Sequence, residues 1–180
     1  MLTVGNFIAD SVKGRQYDRL HQDIASGVLL HRKIDTFTDE NAGVKELKKV
    51  MYPALGKYSG VALDVIFDHI LAKNWPAYSA QLLPEFERQC LQLLAEHLAL
   101  MPARSQRFFH YMVERNILSG YADLKTLKKV FEGMDSRTPF PSNMHRAVDL
   151  YNRHQSTFDH VFEAFFPQLV NQAEVWKKEL

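Results

Sequence analysis

The twelve residues from Val61 to Ala72 constrain this chain more than any other stretch. Their only polar side chains are Asp64, Asp68 and His69; the rest are Val61, Ala62, Leu63, Val65, Ile66, Phe67, Ile70, Leu71 and Ala72. A helix this apolar around its circumference has to be covered by other helices or sheets. The neighbouring segments have helical period, so the stretch predicts a central helix over Ser59–Asn74, with Ser59 or Gly60 as its cap. Two carboxylates four residues apart in such a helix repel each other and lose solvation. They persist there if they neutralise, pair with cations or bind a metal.

The rest of the chain supplies the cover. There is no alternating strand pattern and no Asn-Gly or Asp-Gly hairpin, which leaves helices as the only regular element. Helices are predicted over Thr3–Lys13, Asp18–Asp39, Val44–Leu55, Pro84–Leu100, Ala103–Leu118 and Asp123–Asp135, with Asp123 as an N-cap. A last pattern runs from Ser142 to Lys178, where Pro167 is expected to kink or split it. Gly14 reads as the stop of the first helix. At 180 residues this is an all-α, single-domain helical bundle of seven to nine helices over residues 1–180.

A second cluster lies upstream in His31-Arg32-Lys33-Ile34-Asp35-Thr36-Phe37-Thr38-Asp39. His31, Asp35 and Asp39 step round one helix face by about 40° at a time. Imidazole and carboxylate together suit Mn²⁺, Mg²⁺, Fe²⁺ or Zn²⁺. The candidate metal ligands are His31, Asp35, Asp64, Asp68 and His69. Asp39, beside Glu40, reads equally as a solvated surface acid. Arg32 is placed to clamp a phosphate, and Arg137, in Gly133-Met134-Asp135-Ser136-Arg137, is a second phosphate or substrate contact. The pattern reads as a metal-dependent phosphoryl-ester hydrolase, in which the ion activates water and stabilises the leaving oxygen.

Other chemistries lack their signatures. There is no Gly-x-Ser-x-Gly elbow, phosphate-binding glycine loop or dinucleotide fingerprint, and no Glu-x-x-His pair of the di-iron bundles. A net charge of +1 argues against a nucleic-acid partner. No window approaches the ~18 apolar residues of a membrane span, and no signal peptide precedes the first helix. Cys90, the single cysteine, reads as a structural thiol, and a reducing cytoplasm suits it. His21, His97, His110, His145, His154 and His160 show no convergent carboxylate pattern.

Four segments occur in order: Gly5-Asn6-Phe7-Ile8-Ala9-Asp10-Ser11-Val12-Lys13-Gly14, then the His31–Asp39 cluster, then Asp64-Val65-Ile66-Phe67-Asp68-His69, then Gly133–Arg137. Together they resemble the bacterial acyl carrier protein phosphodiesterases, across nearly the whole chain. The resemblance implies an all-α fold distantly similar to the HD-type metal phosphohydrolases. It implies removal of the 4′-phosphopantetheine arm from holo acyl carrier protein, using Mn²⁺ or Mg²⁺. It adds Asp10 to the implied metal and catalytic residues His31, Asp35, Asp64, Asp68 and His69, and makes Arg32 and Arg137 substrate contacts. Of these, Asp10, Asp35, Asp68 and Arg32 are assigned catalytic roles. Family members begin with an Asn-Phe-Leu-Ala-His-like segment ahead of the first motif, and here Met1 falls just before that motif. The resemblance therefore implies a shortened N-terminus.

The carrier protein is the expected partner, and Lys45, Lys48 and Lys49, or Lys125, Lys128 and Lys129, are candidate receiving patches for its acidic surface. Two other readings stay open. One is an HD-like hydrolase of nucleotides or other small phosphoesters. The other is a helical binding module without enzymatic activity.

Overall fold

A computed structural model describes residues 1–180. The chain is all-α, with ten α-helices joined by short 3-10 turns. They are α1 (Leu2–Ile8), α2 (Gln22–Glu40), α3 (Ala42–Leu55), α4 (Ser59–Lys73), α5 (Leu83–Glu96), α6 (Ala103–Arg115), α7 (Ile117–Gly120), α8 (Leu124–Asp135), α9 (Ala147–Arg153) and α10 (Gln155–Glu179). No helix is long and apolar enough to cross a membrane.

The chain divides into two compact units. The first holds Met1–Asp39, Pro84–Ile117 and Pro167–Leu180; the second holds Glu40–Leu83 and Leu118–Phe166. In the first unit Val4, Ile8, Ile24, Val28, Leu94, Met101 and Phe109 form one buried cluster. α1 and α2 cross there at two glycines. A Cβ on Gly5 would stand 2.0 Å from the Ile24 carbonyl oxygen, and one on Gly27 would stand 2.1 Å from that of Leu2. Only glycine permits backbones this close.

In the second unit α4 packs against α3, α8 and α9. Its Leu63, Ile66 and Ile70 are fully buried, and Phe67 meets Phe162 and Phe165 at ring separations of 5.2 and 5.9 Å. The circumference of the central segment is thus covered except along the strip of Val61, Asp64 and Asp68.

Several helix ends differ from their sequence-predicted positions, each for a local reason. The first helix stops at Ile8 and tightens into a 3-10 turn over Ala9–Ser11. The second begins at Gln22, after a separate turn over Gln16–Arg19. Asn116 takes a left-handed conformation, φ 46°, and ends α6 at Arg115. The final pattern breaks into α9 and α10, while Pro167 lies inside α10 without splitting it. Asp123 caps α8 as expected, accepting from the Thr126 amide at 2.9 Å. Ser59 does not cap α4; its hydroxyl donates back to the Gly56 carbonyl at 2.7 Å.

Candidate functional site

In the first unit three of the predicted residues meet. His31 and Asp35 lie one turn apart on α2, and Asp10 reaches them from the 3-10 turn after α1. Nε2 of His31 stands 3.2 Å from Asp35 Oδ2 and 3.5 Å from Asp10 Oδ1. The His31 side chain is 24% exposed, while the two acids are largely open to solvent. Hydrogen bonding to Asp10 and then to Asp35 outweighs the desolvation of the ring and raises the His31 pKa to about 9. Contact with His31 in turn lowers the Asp10 pKa, against the opposing effect of burial; the positive charge of Arg104 contributes in the same direction.

The turn that carries Asp10 is pinned on both sides. Ser11 and Ser105 share a hydrogen bond of 2.8 Å between their hydroxyls. Arg32 donates from a guanidinium nitrogen to the Val12 carbonyl at 2.8 Å and stacks over Tyr17, 5.1 Å from its ring centre. Arg32 therefore braces the Asp10 segment, with part of its guanidinium edge taken up in doing so. Asp39, further along α2, is exposed and does not join the three.

In the second unit Asp64 and Asp68 share one strip of α4. The sequence predicts them inside a covered helix; they are exposed, together with Val61, along the one open side. The open strip is the physical reason that an otherwise apolar helix carries two acids. Solvent reaches Asp68, yet the protein packed around it and the like charge of Asp64 one turn earlier raise its pKa to about 7.

His69, next in sequence to Asp68, points elsewhere, because adjacent helical residues diverge by about 100°. It is 1% exposed and packs edge-on against Tyr151. Its Nδ1 lies 2.7 Å from the Tyr121 carbonyl. A carbonyl only accepts, so Nδ1 carries the proton and donates. Burial lowers the His69 pKa and favours the neutral ring, whose Nε2 lone pair has no hydrogen-bond partner.

Some features were not legible in the sequence. Asp135, at the end of α8, ties down the loop that follows. Its carboxylate accepts from the Ser142 hydroxyl, from Nδ1 of His145, and from the amides of Met144 and His145 at 3.2 and 3.4 Å. These bonds, Ser142 first, lower the Asp135 pKa to about 2. His145 thus has a carboxylate partner after all, supplied by a residue ten positions away. Arg137, in the same loop and exposed, donates from Nε to the Gly133 carbonyl at 2.8 Å. Of the lysine runs, Lys49 is matched by Glu46 at 2.7 Å, while Lys125, Lys128 and Lys129 are exposed on α8.

A divalent cation is the group implied by the resemblance. As the side chains stand, no group of three or more His, Cys, Asp or Glu residues is arranged to hold one. The donor chemistry fits such an ion in kind. On α2 an imidazole nitrogen is faced by two carboxylate oxygens. On α4 the buried His69 ring has one nitrogen fixed by a backbone carbonyl and the other with a free lone pair, the tautomer that metal-ligating histidines use.

The family model for acyl carrier protein phosphodiesterase matches residues 1–169. Among curated relatives, the acyl carrier protein phosphodiesterase of Yersinia enterocolitica is 30% identical over 172 residues, covering 95% of this chain and 89% of that protein. That of Photorhabdus laumondii is 30% identical over 175 residues, covering 95% and 87%. That of Escherichia coli O6:H1 is 28% identical over 174 residues, covering 94% and 88%. No solved structure matches the chain. With the match running through the segments that carry Asp10, His31, Asp35, Asp64 and Asp68, the chain belongs to the acyl carrier protein phosphodiesterase family.

Proposed function

We propose that this protein hydrolyses the phosphodiester joining 4′-phosphopantetheine to a serine of holo acyl carrier protein, and that it needs a divalent cation, Mn²⁺ or Mg²⁺, to do so. The meeting of Asp10, His31 and Asp35 is the observation that carries the reading. It joins two segments separated in sequence into one acidic, histidine-containing centre, inside the stretch that the family model matches.

In the overall reaction water adds to phosphorus and the serine oxygen leaves. The water gives one hydrogen to the serine oxygen, and the arm departs as a phosphomonoester. Asp10 and Asp35 hold the His31 ring in place from two sides. Arg32 keeps the Asp10 segment against α2, and its remaining N–H groups are cationic donors for phosphate oxygens. On α2, His31 and Asp35 are offered to the cation beside Asp10; on α4, Asp64 and Asp68 are a second acidic pair open to a cation, with His69 turned away from them into the core. The cation would supply charge neutralisation at the phosphoryl group and a more acidic water.

The test is incubation of holo acyl carrier protein with the protein and Mn²⁺ or Mg²⁺, followed by intact-mass measurement. Loss of the phosphopantetheine mass is expected, abolished by chelator and restored by added cation. Asp35→Asn and Asp68→Asn should each lower the rate by about 10–100-fold or more. No loss of the arm with either cation would overturn the reading, and cleavage of small nucleotides in preference to the carrier protein would move the substrate.

A further inference from the structure

α6 presents a flank unlike any other helix of the first unit. Arg104, Phe108, Tyr111 and Arg115 follow one another at spacings of four, three and four residues, so they line up along one side of the helix. Arg104 and Arg115 are exposed, and Phe108 is 49% exposed, a large aromatic surface to leave in water. The rings form a ladder. Phe7 of α1 stacks on Phe108 at 5.8 Å, and Phe108 on Tyr111 at 6.5 Å with 23° between the planes. Arg115 lies over Tyr111, 5.9 Å from the ring centre.

One end of the ladder adjoins the centre described above. Phe7 is three residues before Asp10, Arg104 bears electrostatically on Asp10, and Ser105 bonds Ser11. The other end, Arg115, is eleven residues away, about 16 Å along the helix. The stripe itself holds no acidic side chain; Glu114, beside it on α6, projects about 100° away from Arg115 and about 60° from Tyr111.

We propose that this flank of α6 docks an acidic amphipathic helix of the carrier protein, and this rests on the proposed hydrolysis of that protein. The stripe has arginine at both ends and aromatic rings between. Its complement is a helix with carboxylates about three turns apart and apolar side chains between them. The carboxylates meet Arg104 and Arg115, and the apolar residues cover Phe108 and Tyr111. Tyr, Phe and Arg are the residue types that dominate protein interfaces. Docking along this line brings the partner alongside the Asp10 segment. It also distinguishes α6 from the lysine runs of α3 and α8, which carry charge without an aromatic platform.

The experiment measures binding of apo acyl carrier protein, which lacks the arm, by fluorescence anisotropy, beside kcat and KM for the holo form. Arg115→Glu and Phe108→Ala should each weaken binding by about tenfold or more, raise KM in proportion and leave kcat within about twofold. Added salt should weaken wild-type binding. The triple variant Lys45→Ala, Lys48→Ala, Lys49→Ala should weaken binding by no more than about twofold. Arg115 is exposed at the end of α6, so Arg115→Glu remains decisive should Phe108→Ala unfold, which circular dichroism reports. Wild-type binding that survives both α6 substitutions, or that is lost only in the lysine variant, would overturn the inference. Failure to release the arm, with apo-protein binding still lost in Arg115→Glu, would overturn the hydrolysis reading and leave the docking surface in place.

Discussion

At the scale of the residue, His31 shows how two neighbours change the character of a third. Its ring is held charged by Asp10 and Asp35, so in chelator-treated protein NMR should find its pKa near 9, and Asp10→Asn or Asp35→Asn should each bring it down toward the ordinary 6.5. The sign for stability follows from the raised value. The contribution of the trio is complete below about 6.5, where the unfolded histidine is also protonated, and is lost as pH rises through about 9. A His31 titration unchanged by both substitutions would contradict the contact. The sequence makes two of this trio legible, since His31 and Asp35 share a helical face by spacing alone. Asp10 comes from a segment twenty-one residues earlier, and no periodicity connects it to α2; only the family resemblance names it. His69 shows the converse. It is adjacent to Asp68 in the chain, yet helical geometry turns it into the core.

At the scale of the element, the crossing of α1 and α2 depends on Gly5 and Gly27. Gly27→Ala would place a Cβ 2.1 Å from the Leu2 carbonyl oxygen and 2.8 Å from the Gly5 α-carbon. Both neighbours are backbone, so the helices must part, at a cost of about 1–3 kcal/mol. Thermal or denaturant unfolding should show this destabilisation, and a variant as stable as wild type would contradict the close approach. Helix identity was readable from apolar period along the whole chain, and the Asp123 cap from residue type. The ends were less so. Asn116 stops α6 by adopting φ 46°, a conformation that asparagine tolerates without announcing it. The sequence pattern predicts helix from Ser142; the bonds from Ser142, Met144 and His145 to Asp135 hold Ser142 and Asn143 outside it and leave only a 3-10 turn over Met144–Arg146 before α9, and they join residues seven to ten positions apart.

At the scale of the whole molecule, each unit is assembled from segments distant in sequence. Residues 40–83 and 118–166 make up the second unit, and Phe67 on α4 finds Phe162 and Phe165 on α10. A fragment of residues 40–83 should therefore stay unfolded or aggregate, because α4 keeps its apolar circumference and loses its cover; a soluble fragment melting cooperatively by circular dichroism would contradict this. The all-α class was legible from composition and period, because those are local properties. The interleaving of segments was not, because it is a matter of which apolar faces choose each other. Where two α-carbons set how near α1 and α2 come, and Ser105 and Arg32 pin the turn beyond, the interval between Asp10 and His31 depends on backbone radii and polar contacts more than on which apolar residues fill the core. Val4, Ile8, Ile24 and Val28 can then exchange for other apolar residues of similar volume while that interval holds, so drift in the interior and constancy at the surface coexist in one pair of helices.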